Sequence, residues 1–177
     1  MIKRLSFFLL LPALIACSKS DSSPTIDFGK GEGITYRDNT NRPAGTQDPT
    51  DWTLDGNWNA REQELFKSLN LDLNGAQQSQ NQLVRLSFSG FPNPAISDFQ
   101  FGYSVPDVVS YRYVLVDGSY RVLTQGDSPF PGNNLSFTVN ASSLSLQQGK
   151  RYRMYYVLYN GTALYAKGHG DFKIGKP

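Results

Sequence analysis

The 177-residue chain has very little cysteine or histidine, with one of each. With no second His and no spare Cys, the donor sets of structural and catalytic zinc sites are missing. The lone His169 lies in Lys167-Gly168-His169-Gly170-Asp171. A Ser-His-Asp relay needs an imidazole held from both sides, and no Ser here sits in a nucleophile elbow. The flanking glycines suggest a bulge or an exposed strand end. Long apolar runs are also lacking. Leu5 to Ala16, broken by Ser6 and Pro12, falls short of the roughly 20 residues a spanning helix needs. Net charge is small. Without Lys3 and Arg4, the 17 basic residues become 15, against 15 acidic ones. That balance lacks the basic footprint of a nucleic-acid binder. The charges lean acidic before residue 83 and basic after it, an asymmetry that solvation alone accounts for.

The N-terminus supplies an address. Lys3 and Arg4 precede the apolar run, which is the layout of a secretory signal. A secreted chain with a single Cys would carry a reactive thiol into an oxidising compartment unless something consumed it. Here the run closes on Leu14-Ile15-Ala16-Cys17, which resembles the bacterial lipobox. The resemblance implies cleavage before Cys17, a diacylglycerol on its thiol and acylation, typically with palmitate, of the new amine. Several acyl chains hold a protein far more firmly than the marginal grip of one. Ser18, rather than Asp, follows the Cys. By the rule that applies to enteric lipoproteins, this implies the outer membrane, with the leaflet left open.

The chain divides into a signal (1–16), a lipidated flexible tether (17–33), an irregular segment with one short helix (34–82) and a β-sandwich (83–177). The tether is rich in Ser, Asp, Gly and Lys, with reach enough to lift a domain off a membrane. Arg42-Pro43, Asp48-Pro49 and Asp55-Gly56-Asn57 punctuate the irregular segment. Asn59 with Glu62 forms a capping pair, after which Leu65, Phe66 and Leu69 share a helical face that stops near Asn70. Residues 76–82 are polar and Gln-rich, and read as a connector.

Strand patterns follow. Val84, Leu86 and Phe88 share a face, as do Phe99, Phe101 and Tyr103. Tyr111, Tyr113 and Leu115 alternate with Arg112, Val114 and Val116, and Leu135, Phe137 and Val139 with Ser136 and Thr138. Tyr152, Met154, Tyr156 and Leu158 form a further face. Asp117-Gly118 and Asn160-Gly161 supply the positive φ of tight hairpins. The expected fold is mainly β: one antiparallel, Ig-like sandwich of about seven strands with one short N-terminal helix.

Phe91-Pro92-Asn93-Pro94-Ala95, Asp117-Gly118, Gly149-Lys150-Arg151-Tyr152 and the basic end from Lys173 to Lys176 together resemble the type A sorting domain of type IX secretion. The resemblance spans Phe88 to Ile174. It implies a seven-stranded β-sandwich and a Gram-negative lineage that uses this pathway. Since a lipobox already provides an anchor, the resemblance bears on fold and lineage before it bears on cargo status.

Two groups of residues are candidates for contacts with other molecules. Trp52 and Trp58, beside Asp48, Asp51 and Asp55, suit stacking on a sugar ring, and paired carboxylates are the equipment of glycosidases. The same aspartates are turn signatures, and tryptophans can pin an irregular segment to a sandwich, which is the favoured reading. The run Asp51 to Asn59 is rich in oxygen ligands but misses the spacing of a calcium loop. Tyr155 and Tyr159, with Arg151 and Arg153, form an aromatic-basic stripe suited to a protein or glycan partner, or to burial beneath the N-terminal helix. Burial is favoured there as well.

The expected function is that of a non-enzymatic outer-membrane lipoprotein, a binding or accessory subunit of a cell-envelope complex, with Cys17 as the lipid attachment site. No cofactor, metal or nucleic acid is called for. A surface carbohydrate-binding module using Trp52 and Trp58, and a type IX secretion cargo, are the alternatives.

Overall fold

The structure, a computed structural model, describes residues 24–81, 86–128 and 131–176. Cys17, the signal and most of the tether lie outside the described residues. Seven antiparallel strands are formed: β1 (Thr53–Leu54), β2 (Ser87–Phe91), β3 (Asp98–Asp117), β4 (Val122–Asp127), β5 (Gly132–Asn140), β6 (Arg151–Asn160) and β7 (Ala163–Lys173). The one α-helix among the described residues, α1, is a five-residue turn over Ala60–Glu64.

Strand β3 organises the molecule. The sequence suggests separate strands around Phe99–Tyr103 and Tyr111–Val116, but they form one strand of 20 residues. Its first part, Asp98–Ser104, lies between β2 and β5. Its second part, Ser110–Asp117, lies between β6 and β4. The change of partner occurs around Val105-Pro106-Asp107-Val108, where the pairing with β5 shifts register. Pro106 has no N–H to give a ladder, so it suits the point where β3 leaves one sheet for the other. The result is a three-stranded sheet (β2-β3-β5) facing a five-stranded one (β1-β7-β6-β3-β4).

The space between the sheets is aromatic. Phe99 stacks on Phe172 at 4.2 Å and Phe88 on Tyr156 at 4.6 Å, with Phe101, Tyr103, Met154 and Leu158 filling the remainder. A second core lies on the opposite face of the larger sheet. There Val114, Val116, Tyr155, Val157 and Leu164 are covered by Ile26, Trp58, Phe66 and Leu73. Strand β6 is therefore buried on both faces from Tyr152 to Leu158, which is why it is apolar almost throughout.

Several expectations need correction. Residues 26–33 are not free tether. The Ile26 N–H donates to the Gly118 carbonyl at 2.8 Å, Ile26 is buried, and Phe28 lies beneath the Arg151 and Arg153 guanidiniums at 4.8 and 5.5 Å. The apolar pair Ile26 and Phe28, short as it is, finds the open face of the larger sheet. The segment before residue 83 goes further than packing on the sandwich, because its β1 pairs with β7. The connector is anchored over its described residues, 76–81: Gln77 and Ser79 are buried, and the Gln77 amide spans from the Asp55 carbonyl to the Lys167 N–H.

In the β3–β4 hairpin the positive φ belongs to Tyr120 (60°), with Gly118 outside that region. The Asp117 carboxylate accepts the N–H groups of Ser119 and Arg121 and builds a longer turn than Asp-Gly alone would make. In the β6–β7 hairpin, Gly161 does take a positive φ, 57°. The capping box is present. Asn59 accepts from the Arg61 and Glu62 N–H groups, and Glu62 accepts from the Asn59 N–H. The helix ends at Glu64, yet Phe66 still reaches the core, wholly buried.

Candidate functional site

The strongest concentration of polar chemistry lies where β6 and β7 meet the N-terminal layer. Alternation puts Arg153 and Tyr155 of β6 on the same face as Lys167, His169 and Asp171 of β7. Residues 51–55 run along the edge of β7 and close over this face. The Trp52 N–H donates to the His169 carbonyl at 2.8 Å and the Asp55 N–H to the Lys167 carbonyl at 2.9 Å.

At the centre is an ion pair. Arg153 donates through Nε and an Nη to the two oxygens of Asp171, each at 2.7 Å, and both side chains are at most one-tenth exposed. Burial opposes the Arg153 charge, but the facing carboxylate outweighs it and raises the arginine pKa, so the guanidinium stays charged. Burial likewise raises the Asp171 carboxyl from its ordinary value, and Arg153 pulls against that rise. A bidentate pair of this kind is strong and geometrically specific.

Next to it, Asp51 accepts the Thr35 N–H at 2.7 Å and the Asp171 N–H at 2.9 Å, one on each oxygen. Burial, and then the neighbouring Asp171 charge, push its carboxyl up to about 7. His169 meets both oxygens of Asp55 through Nδ1, at 2.8 and 2.9 Å, and Asp55 also accepts the Trp58 indole N–H at 2.7 Å. Lys167 donates to the Gly56 carbonyl and sits 4.9 Å from the Trp58 ring centre. Burial lowers its pKa. The Tyr155 hydroxyl contacts Glu62 at 3.1 Å, and burial raises the pKa of this phenol well above its ordinary value.

Asp51, His169 and Asp171 could each bring one ligand atom to within 4.8 Å of the others. The carboxylate oxygens and one of the two imidazole nitrogens are engaged, however. Both Asp171 oxygens hold Arg153, each Asp51 oxygen holds a backbone N–H, and His169 Nδ1 holds Asp55. A cation would have to enter against the fixed Arg153 charge. The His169–Asp55 pair has no hydroxyl or thiol within hydrogen-bonding distance of the imidazole among the described residues, so it lacks the nucleophile of a relay. The arrangement is a polar lock that fastens the segment 35–58 to β6 and β7.

The flanking glycines of His169 have a different cause from the one the sequence suggests. His169 is mid-strand, paired with Tyr155 and Thr53 and half-buried. A Cβ on Gly168 would stand 2.0 Å from the Thr53 carbonyl, and one on Gly170 would stand 2.2 Å from the Trp52 ring. Gly90, across the sandwich, yields to the same indole, where a Cβ would come within 2.3 Å. Trp52 thus occupies a slot that two glycines from opposite sheets leave open.

The tryptophans offer no sugar-stacking face. Trp52 is 6% exposed and Trp58 3%. Trp52 lies among Phe99 and Phe101, and Trp58 between Phe66 and Tyr155. This removes the support for glycan contact through Trp52 and Trp58: apolar rings of this size bury themselves wherever a sheet face is open. Tyr155, fully buried, is no surface contact either. Tyr159 is half-buried at the rim of the same cluster.

Sequence reasoning missed the Arg153–Asp171 pair and the role of Asn93. Charged residues isolated within otherwise apolar strands were the available signal for the pair. Asn93, 1% exposed, exchanges backbone hydrogen bonds with Arg37. Its amide donates to the Thr35 and Asp171 carbonyls and accepts the Lys173 N–H. The Pro-Asn-Pro turn is thereby a stitch between the N-terminal segment and β7. Beside it lies a small, mainly apolar cleft of about 320 Å³, with Tyr36, Pro92, Pro94 and Ile96 on its walls.

No family model matches the chain, and no curated protein matches it. Among solved structures, it is similar to domains d3–d4 of the rat CD45 extracellular region, at 10% identity and a TM-score of 0.38, over 97% of this chain and 83% of that one. No helix of the described residues is long and apolar enough to cross a membrane.

Proposed function

We propose that the protein is a lipid-anchored, non-enzymatic module of the outer membrane, acting as a binding or accessory subunit of an envelope complex. The observation that carries this reading is Leu14-Ile15-Ala16-Cys17 at the end of the N-terminal apolar run. Two features support it. Ile26 is fixed to the body and lies nine positions after Cys17, a span of at most about 30 Å at ~3.5 Å per residue. This holds the domain near the bilayer, closer than a tether extending to Gly33 would. The polar cluster, where chemistry would be sought, has its carboxylates, guanidinium and imidazole Nδ1 committed to internal bonds.

The experiment is Cys17→Ala in the full chain. The parent should partition with outer membranes and take up labelled palmitate, and the variant should appear in the soluble fraction, folded and unlabelled. A variant that stays on membranes in high salt would defeat the reading. The accessory role is checked separately by co-purification from detergent-solubilised membranes, where a protein that always runs without a partner would refute it.

A further inference from the structure

The edges of the two sheets are treated differently. β1 is only two residues long. β2 has five residues, runs into Pro92, and has its Ser89 hydroxyl contacted by the Asn41 amide. β4 is bounded by the charges of Arg121 and Asp127 and lies opposite an irregularity between Leu115 and Val116. Short length, proline, charge and bulges are the devices that stop an exposed edge from pairing with another chain.

β5 has them at its start alone: Pro131 precedes it and its pairing with β3 is irregular between Gly132 and Asn134, whereas residues 134–140 pair in regular register. Its nine residues, Gly132-Asn133-Asn134-Leu135-Ser136-Phe137-Thr138-Val139-Asn140, contain no charge and no proline. It pairs with β3 on one side, and among the described residues no strand pairs with the other. That side presents a row of backbone N–H and C=O groups. Leu135 and Phe137, directed at the core, are left half-buried, while Asn134, Ser136 and Thr138 are exposed.

We propose that β5 is a self-association edge, through which two copies of this chain pair antiparallel about a twofold axis at Ser136. The strand is self-complementary about that residue. Residues 134–138 form the centre of the pairing, and Asn133 falls opposite the partner's Val139 toward each end. Leu135 falls opposite the partner's Phe137, joining two half-buried apolar groups on the inner face. Asn134 falls opposite the partner's Thr138, joining small polar groups on the outer face. No charge meets a like charge anywhere along the strand. Twofold, self-complementary interfaces are the commonest form of homo-oligomer, and strand addition supplies main-chain hydrogen bonds without further machinery. The two three-stranded sheets would join into one of six strands.

The test uses the full chain carrying Cys17→Ala, which leaves no thiol. Sedimentation should give twice the monomer mass. Adding Ser136→Cys should produce a near-quantitative disulfide dimer under mild oxidation, because directly opposed residues of an antiparallel pair lie about 4.5–5.5 Å apart at Cα, within disulfide range. Ser119→Cys, exposed in the β3–β4 turn, serves as the control and should crosslink far more slowly. Ser136→Lys would set two lysines opposite each other and should return the protein to monomer mass, with the parent's circular dichroism spectrum and a melting temperature that no longer rises with protein concentration. A parent of monomer mass at high micromolar concentration would overturn the proposal. So would a Ser136→Cys variant that crosslinks no faster than the control, a Ser136→Lys variant that remains dimeric, or an open ladder of higher oligomers in place of a dimer.

Discussion

Asp51 holds the Thr35 and Asp171 N–H groups with a carboxyl whose folded-state pKa is about 7, raised by burial above its ordinary 3.8. Between those values the folded protein keeps a proton that the unfolded chain has released. Stability contributed at this site is therefore greatest toward the acid end of the window and falls as pH rises through 7. The linked slope is at most about 1.4 kcal/mol per pH unit. Denaturant midpoints at pH 5, 6 and 7.5 should show that decline in the parent, and a flatter profile in Asp51→Asn. Equal slopes in the two proteins would contradict the assignment. Arg153 gives a sharper outcome. Arg153→Met leaves Asp171 as an unpaired buried carboxylate and should cost about 3–5 kcal/mol, whereas Arg153→Met with Asp171→Leu removes both charges and should recover much of the loss. Urea unfolding of the two variants separates a pair that tightens the fold from a pair that is merely tolerated.

Among the elements, the N-terminal strap is the part that sequence reading placed least well. Ser, Gly and Lys dominate it, and only Ile26 and Phe28 signal otherwise. Two residues do not make a period, and their partners, Gly118, Arg151 and Arg153, lie about 90 or more positions away. Truncation before Pro24 should leave thermal stability unchanged. Truncation through Gly33 should lower it by about 2–4 kcal/mol, the worth of burying two large side chains. A similar melting temperature for both truncations would restore the free-tether picture. The strands themselves were legible because period-2 alternation is a local property. The continuity of β3 was not, since a strand that passes from one sheet to another looks like two strands with a polar gap. The glycines beside His169 were legible as special but not as to cause: what they admit, Trp52 and the Thr53 carbonyl, comes from more than 110 residues earlier. Gly170→Ala should therefore destabilise by about 1–3 kcal/mol through overpacking against the indole, as read from its denaturant midpoint.

For the molecule as a whole, fold class could be read ahead of structure, whereas the polar lock could not. A mainly β, antiparallel sandwich follows from strand periodicity and turn residues. A lock assembled from Asp51, Asp55, Arg153, His169 and Asp171 depends on which strands become neighbours, and that is settled by topology. The same logic explains why the sequence left ligand contact open beside the favoured packing reading of the tryptophans. Their neighbours in sequence are polar turns, while their neighbours in space are Phe66, Phe99, Phe101 and Tyr155.

The strap has a mechanical consequence. Under the proposed anchoring, any pull between the membrane and the domain enters through Ile26 and Phe28, and reaches the Gly118 turn and the Arg153 guanidinium, which also donates to the Asp27 carbonyl at 3.0 Å. Arg153 is tied in turn to Asp171 on β7. The load path therefore ends in the two most deeply buried strands and bypasses the thin edge of the smaller sheet. A pull on the strap is thus received by β6 and β7, the strands that carry both cores, and not by β2 or β5.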